Sequence, residues 1–461
     1  MTEAARTRIP ARTVAAFSMS AVVAGALTTP LTVYLPNFYA SHLGLKLSAV
    51  GAVFLAVKLL DIVFDPLAGG VMDRTRTRVG RYRFWLLAAA PVLMLGGWRV
   101  FFPDKSAGAA YLGAWLFVLY VGYSLLILSQ SAWGAVLARD YDDRSRVYAW
   151  AHVVGVTGAL AVLVLPSLIT TVGGKDQAAG VAAMGWFIVL AAPATILIAA
   201  LGTPERLTPK PRAPANWREV VGLFRRPSML RLIACDFALS FGPGFTAPLY
   251  LFFFHQARGY TAGQSNVLLM IYIVAGVVGA PAWAAIAFRV GKHRALMAAT
   301  GLYAVAQVAA VLLPKASFLL MAPAMFFAGF VANAFVFLVR AMVADVGDEV
   351  RLETGRDRTG LLYAFVASTM KIGSALAVGV TYTILSRIGF DPRPGAANTP
   401  EAIAGLEACY VGVPVVLVLA GGAALFGYQL DARRHAEIRA QLVARDAAEA
   451  AADAGRGLSP R

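Results

Sequence analysis

Long apolar stretches separated by short polar segments form the main pattern of the chain. A helix that crosses a bilayer needs about 20 consecutive apolar residues. Nine stretches of that length contain no Asp, Glu, Lys or Arg: 13–45, 106–138, 147–174, 177–204, 237–257, 259–288, 295–314, 316–339 and 408–430. Three further spans, each interrupted by a few charges, are predicted around 48–72, 84–103 and 359–386. Because every backbone donor must be satisfied inside a bilayer, the pattern predicts twelve transmembrane helices.

Composition and charge agree with this pattern. Only 14% of the residues are charged, against about 25% in soluble proteins, which excludes a soluble enzyme, a disordered scaffold and a nucleic-acid-binding domain. The net charge is +16, with 41 Lys and Arg. If the N-terminus is cytoplasmic, 31 of these lie in predicted cytoplasmic segments and 8 in the opposite loops. This asymmetry predicts that both termini are cytoplasmic, and the basic excess then requires no nucleic-acid partner.

The cysteines and the N-terminus indicate no further chemistry. Cys235 and Cys409 both lie in apolar stretches, so their spacing predicts neither a disulfide framework nor a metal site. The polar, basic start of the chain is not followed by a cleavage pattern, so no secretory signal is expected.

A proline-containing basic segment, 205–231, divides the predicted spans into two groups of six. A weak repeat supports the division, since the interval from Gly44 to Pro66 equals that from Gly259 to Pro281. The predicted organisation is a six-helix bundle over 1–204, a cytoplasmic linker over 205–231, a second six-helix bundle over 232–430 and a cytoplasmic tail over 431–461. Two six-helix halves with a site near the midplane are the plan of a secondary transporter. The tail is predicted to be helical, without an assigned function.

Three charges recur at helical spacing in the second span: Lys58, Asp61 and Asp65, followed by Pro66. At about 100° per residue they fall within roughly 60° of one another on one helix face. Charges inside a membrane are costly unless paired or hydrated, and two carboxylates one turn apart provide oxygen ligands for a small cation. The pattern therefore predicts a cation-binding site, with a purely structural ion pair between Lys58 and the aspartates as the alternative.

Three other residues within the spans are candidates for contact with a substrate. Lys371 is the sole charge of the eleventh span, and we expect it to pair with the two aspartates or to bind a hydroxyl-rich or anionic substrate. The alternative is a lysine whose ammonium group snorkels to the membrane interface. His152 is expected either to line a cavity or to be a hydrogen-bonded core residue. Trp133 is expected either to stack on a sugar ring or to pack in the bundle.

The loop after the second span carries five arginines around one aspartate over 73–83. Such a loop can form a cytoplasmic latch that binds helix C-termini and acidic partners, such as Asp345 or Asp140, in one conformation and releases them in another. The alternative is a plain basic loop that only sets topology. The predicted gating residues are Asp73, Arg74, Arg78, Arg81, Asp345 and Asp348.

Together, three motifs resemble the glycoside–pentoside–hexuronide:cation symporters, the melibiose permease group of the major facilitator superfamily. They are Asp61-x-x-x-Asp65-Pro66 running into 73–83, Asp140-Tyr141-Asp142-Asp143-Arg144, and Met342-Val343-Ala344-Asp345-Val346-Gly347-Asp348 with Thr354-Gly355 and Gly360. The resemblance covers nearly the whole chain and implies the major facilitator fold. It implies that Asp61 and Asp65 bind the coupling cation, which is Na⁺, Li⁺ or H⁺. It also implies that Lys371 lies between the cation and sugar sites and that Trp133 matches a sugar-site tryptophan.

At three positions the chain differs from melibiose permease. Gly25 stands where melibiose permease has its sugar-binding aspartate of the first span, and Ser129 stands where it has an aspartate of the fourth span. His152 lies near the position of its fifth-span arginine. The resemblance therefore implies cation coupling but not galactoside recognition of that type. The substrate-binding residues expected here are Lys371, Trp133, His152, Ser129 and Lys58.

The sequence thus predicts an all-α polytopic membrane protein that is a secondary symporter of a sugar or glycoside. It is expected to act as a monomer among lipids of a bacterial inner membrane, with the coupling cation as its sole cofactor. A proton-coupled exporter, or a carrier of an amphipathic or lipid-like solute, is the alternative on the same fold. A polytopic membrane enzyme would need a catalytic cluster at the membrane surface, which the sequence lacks. A channel or sensor would lack counterflow exchange.

Overall fold

The computed structural model describes residues 9–138, 141–171, 176–205, 222, 226–356 and 358–455. Within these residues, twelve helices are long and apolar enough to cross a membrane. The predicted all-α class and the twelve spans are therefore confirmed. The helices are α1 (Ala11–Ser41), α2 (Leu47–Arg74), α3 (Tyr82–Phe101), α4 (Ala109–Leu137), α5 (Tyr141–Thr171), α6 (Gln177–Gly202), α7 (Pro227–Ala257), α8 (Ala262–Val290), α9 (Lys292–Leu312), α10 (Phe318–Thr354), α11 (Thr359–Arg387), α12 (Pro400–Ala423) and the tail helix α13 (Ala432–Gly455).

An even number of spans places both termini on one side of the membrane, and we call the opposite side the distal side. Three spans widen into a π-helical turn in their distal parts, at Pro30–Tyr34 in α1, Phe253–Ala257 in α7 and Ala408–Gly412 in α12. Single π turns inside α-helices are common at functional sites. The weak repeat begins at Gly44 and Gly259, directly after α1 and α7.

The chain divides by its contacts into two units, and the first comprises Met1–Ala213, Phe245–Met270 and Ala375–Tyr410. Within it, the distal parts of α1 and α2 pack against those of α8 and α11. The Tyr34 hydroxyl donates to Asn266 Oδ1 at 2.6 Å, and the glycines at 51 and 379 let α2 and α11 approach closely. We call Tyr34, Gly51, Asn266, Gly379 and Tyr382 the distal contact.

The second unit comprises Pro214–Gly244, Ile271–Ser374 and Val411–Arg461. Its core is a set of buried apolar side chains that includes Leu338 and Val343 of α10. With 37 residues, α10 is about 55 Å long at 1.5 Å per residue, so it extends well beyond a hydrocarbon layer of about 30 Å. Ile438 and Leu442 of the tail helix α13 are buried in the same core.

These contact-based units cut through the helices, because the distal parts of α7, α8 and α11 belong with the first six spans. The division of the sequence into two six-helix bundles, a linker and a tail therefore stays a prediction. Most of the predicted linker, 206–221 and 223–225, lies outside the described residues.

Candidate cation and substrate site

The charged face of α2 lies opposite α4. Asp61 is only 6% exposed, and Ser124 Oγ of α4 donates a hydrogen bond of 2.5 Å to its Oδ1. Tyr120, one turn earlier on α4, lies close enough to Asp61 to interact electrostatically. Lys58 and Asp65 are half-buried, and both interact with neighbouring groups. A carboxylate of α2 and a hydroxyl of α4 thus meet between two transmembrane helices, and a second carboxylate lies one turn further along α2.

The cation-binding role of Asp61 and Asp65 stays a prediction, but their surroundings fit it chemically. Carboxylate and hydroxyl oxygens are the ligands of hard cations. Pro66 lies inside α2 and lacks an N–H, so the carbonyl of Ile62 loses its usual helical donor. Ser124 could not be predicted as a site residue, because the sequence of an apolar helix does not indicate which neighbouring helix a serine will contact.

Ser129 and Trp133 lie further along α4, and both are fully buried. Ser129 Oγ is 4.0 Å from Met72 Sδ of α2. The Trp133 indole N–H donates to the carbonyl oxygen of Pro204 at 3.4 Å, and the Arg83 guanidinium lies 5.7 Å from the ring centroid. In this conformation the indole is held by protein groups, and its role as a sugar-stacking residue stays a prediction.

The structure places the other predicted substrate residues on separate helices. His152 is exposed on α5. Lys371 is half-buried on α11 within the second unit, and its carbonyl accepts a hydrogen bond of 3.0 Å from Ser374 Oγ. The pairing of Lys371 with the aspartates of α2 and the substrate role of His152 both stay predictions.

The position of Gly25 is explained by packing between helices. A Cβ atom built on Gly25 would overlap the carbonyl oxygen of Gly155 on α5, so only glycine permits this approach of α1 to α5. An aspartate of the melibiose permease type would have no room here. No side chain at position 25 could therefore contact a substrate without moving α1 away from α5.

The arginine-rich loop between α2 and α3 is fastened to the end of α6. Glu205 accepts backbone N–H hydrogen bonds from Arg81 at 2.7 Å, Tyr82 at 2.9 Å and Arg83 at 3.0 Å. A carboxylate on the first amides of a helix is favoured both by its hydrogen bonds and by the helix dipole. Arg83 also donates to the carbonyl oxygen of Thr203 at 2.6 Å. Glu205 is thus a partner of the loop that the sequence analysis did not identify.

The remaining loop residues predicted to act in gating differ in exposure. Asp73, Arg74 and Arg78 are exposed and Arg81 is half-buried. Asp140, one proposed acidic partner of this loop, lies outside the described residues. The gating role of the loop stays a prediction, and the structure adds an acidic partner at the end of α6.

Asp345 and Asp348, the predicted gating acids of α10, are bound to neighbouring helices of the second unit. Lys292 Nζ of α9 contacts the two carboxylate oxygens of Asp345 at 2.6 and 2.8 Å. His435 Nε2 of α13 lies 3.3 Å from Asp345 Oδ1 and 3.0 Å from Asp348 Oδ2. One imidazole therefore bridges both acids.

The tail helix α13 is held along the extended end of α10 by further contacts. Arg351 Nη2 lies 2.9 Å from Asp446 Oδ2, and Arg439 Nη1 lies 3.7 Å from Asp348 Oδ2. With the buried Ile438 and Leu442, these contacts make α13 part of the second unit. The tail had no function assigned from the sequence. In the structure it packs against the segment of α10 that carries the motif 342–348.

Twelve apolar spans, with a carboxylate buried inside one of them, are typical of a membrane transporter. The chain belongs to the family described as MFS/sugar transport protein, which matches residues 16–432. It is a multi-pass membrane protein of a transporter family and not an enzyme.

Curated relatives of the chain are bacterial transporters. It is 25% identical over 439 residues to a putative glycoside/cation symporter, YagG, of Escherichia coli (strain K12), with 92% of this chain and 94% of that protein covered. It is 26% identical over 422 residues to the isoprimeverose transporter of Lactiplantibacillus pentosus, with 87% and 85% covered. A crystal structure of a variant of the nucleoside transporter NupG superposes with a TM-score of 0.68 at 13% identity, covering 90% of this chain and 99% of that one. This last likeness shows the fold alone.

Proposed function

We propose that this chain is a cation-coupled symporter of a sugar or glycoside that works by alternating access. The observation that carries the proposal is Asp61, a buried carboxylate inside a membrane span, hydrogen-bonded to Ser124 and one turn from Asp65. The relatives support it, since one is described as a putative glycoside/cation symporter and another as an isoprimeverose transporter.

Coupling follows from the cost of an ionised carboxylate away from water. Two such groups are tolerated where water enters, and they oppose closure of the site around them. A bound Na⁺ or Li⁺, or a proton, removes much of that cost. A cation therefore favours the closed, substrate-loaded state by its differential affinity for the two conformations.

The substrate set expected from the sequence stays part of the proposal. Ser129 and Trp133 come from α4, His152 from α5, Lys58 from α2 and Lys371 from α11. Lys371 would hydrogen-bond sugar hydroxyls, and Trp133 would offer its ring to the apolar face of a pyranose once it is released from Pro204 and Arg83.

Gating would then use two groups of polar contacts on the side of the termini. In the first unit, the loop over 73–83 is held by Glu205, and in the second unit Asp345 and Asp348 bind Lys292 and His435. Breaking and remaking such contacts would accompany the transition. From the charge count we place this side in the cytoplasm, and we propose a monomer as the transporting unit.

The test is the thermal stability of the purified protein with isoprimeverose and other glycosides, in NaCl, LiCl or KCl at equal ionic strength and at several pH values. We expect a sugar whose stabilising effect grows with Na⁺ or Li⁺, or with acidity. Stabilisation by a sugar that is identical under all these conditions would overturn cation coupling. Asp65→Asn is the matched variant, and in it the sugar effect should no longer depend on the cation.

A further inference from the structure

A polar cavity of about 520 Å³ opens in the first unit on the distal side. The end of α1, the start of α6, the end of α7 and the connection from α11 to α12 form its walls. Its volume is in the range of sites for small organic ligands. Its polar lining residues are Asn37, Ser41, Gln177, His255, Gln256 and Asn398.

The lining carries hydrogen-bonding groups without charge. Among the lining residues that the structure describes, none is Asp, Glu, Lys or Arg. Amides and hydroxyls offer donors and acceptors together, which matches the hydroxyl groups of a sugar. Burial lowers the pKa of His42, whose Nδ1 lies 2.9 Å from Ser41 Oγ, while the carboxylate of Asp176 acts in the opposite direction. An anionic solute would lose its hydration here without gaining a counter-charge from the lining.

One wall of the cavity is held in place by its own hydrogen bonds. Asn398 Nδ2 donates to Gln256 Oε1 at 2.6 Å and to the carbonyl oxygen of Asp391 at 2.9 Å. The Asp391 N–H donates to Asn398 Oδ1 at 2.7 Å. These bonds fix the α11–α12 connection to the end of α7, so the wall is preorganised for a ligand.

His255, next to Gln256 at the end of α7, is a further polar residue of the lining. Its Nε2 is buried and has no hydrogen-bond partner among the described residues. Buried polar atoms are nearly always hydrogen-bonded, and an exception calls for an explanation such as a ligand or an ordered water. A rotation of the ring that exposes Nε2 to the cavity would let a ligand hydroxyl provide the partner.

Two residues of the cavity lining lie next to the distal contact. Phe252 lines it, and its ring centroid lies 6.1 Å from that of Tyr382. Asn37 lies one turn after Tyr34, which donates to Asn266. A ligand in the cavity would therefore touch Phe252, which packs near Tyr382 of the distal contact.

We propose that this distal cavity is a second solute-binding site, an outer subsite for a neutral mono- or disaccharide that is filled while the distal contact is closed. The inference rests on the proposed function and deepens it, because it restricts the substrate class to uncharged, polyhydroxylated solutes. The site is separate from the aspartates of α2.

The test uses thiol labelling in intact cells. Both native cysteines are buried, and Ala397→Cys adds a thiol at an exposed position of the cavity lining. A membrane-impermeant methanethiosulfonate should label it from outside. At a concentration of about ten times its Kd, a sugar leaves only about one tenth of the sites free. Isoprimeverose, cellobiose or methyl xyloside at that concentration should therefore slow labelling about tenfold. Glucuronate should not slow it.

Two controls separate the subsite from the transport site. Ser106→Cys, exposed in the distal loop between α3 and α4 but outside the cavity, should be labelled at one rate with or without sugar. Protection of Ala397→Cys should persist when Asp61→Asn is added, although accumulation is lost. Gln256→Leu, which removes one polar group of the lining, should weaken protection and raise the KM for uptake.

The outcomes distinguish the two proposals. Transport of a neutral sugar with no protection of Ala397→Cys, or protection that Asp61→Asn abolishes, overturns the subsite and leaves the proposed function standing. Labelling from the cytoplasmic side alone also overturns an outer subsite. If no sugar is transported and none protects, the proposed function fails as well.

Discussion

Gly51→Ala places a single methyl group into the distal contact. Its Cβ would lie 2.8 Å from Tyr382 Cβ and 3.3 Å from the carbonyl oxygen of Gly379. Neither atom belongs to the flexible end of a side chain, so α2 and α11 must separate to accommodate the methyl group. Overpacking of this kind costs about 1–3 kcal/mol. In a protein that alternates between two states, only the state with the distal contact closed bears this cost.

The expected result is a shift of about 5- to 150-fold in the equilibrium toward the state with the distal contact open. Pulsed electron–electron double resonance between spin labels at Ser106→Cys and Ala397→Cys measures this equilibrium. One label lies on the α3–α4 loop and the other on the α11–α12 connection. Gly51→Ala should enlarge the population at longer distances. In the control Gly113→Ala, the new Cβ would meet only Val53 Cγ1, at 3.7 Å.

Since 3.7 Å is an ordinary contact distance, the control should leave the distance distribution unchanged. If Gly51→Ala folds and its distribution is that of the parent, the distal contact is not a gate. A uniform loss of thermal stability without a population shift would refute the reasoning equally, because it would show that both states contain this packing.

Three further predictions follow from single contacts. Glu205→Ala should lower the stability by about 1–2 kcal/mol through loss of the helix cap, measured by thermal unfolding; an unchanged unfolding curve would contradict the capping role. Truncation after Leu430 should increase amide hydrogen exchange at 345–354 of α10, because α13 covers that segment, and unchanged exchange there would show that the docking is weak. Gly25→Asp should prevent accumulation of folded protein in the membrane, whereas a well-folded Gly25→Asp variant would disprove the tight packing of α1 on α5.

The number of spans and the class of fold could be predicted because membrane insertion depends on local apolar runs. Nine runs without charges are visible without any tertiary information, and the three interrupted ones follow from their spacing. The helical face that carries Asp61 and Asp65 was likewise predictable from period alone.

The partners of those residues were not predictable, because they depend on which helices meet. Ser124 reaches Asp61 from 63 positions away, and no local pattern distinguishes it from other hydroxyls in apolar helices. Glu205 gave a weak signal as the first carboxylate after α6, although the sequence placed it in a linker. His435 lies in a charged helix whose apolar residues, Ile438 and Leu442, did not indicate which surface they would cover.

Cation-driven accumulation in proteoliposomes tests directly whether Asp61 and Asp65 couple sugar transport to a cation gradient. The purified protein would be reconstituted with imposed inward gradients of Na⁺ or H⁺, and uphill uptake of a sugar identified by thermal stabilisation would be measured. We expect accumulation by the parent protein and none by Asp61→Asn or Asp65→Asn, while both variants still exchange sugar down its gradient. Uphill accumulation that persists in both variants would contradict the coupling role of the α2 carboxylates.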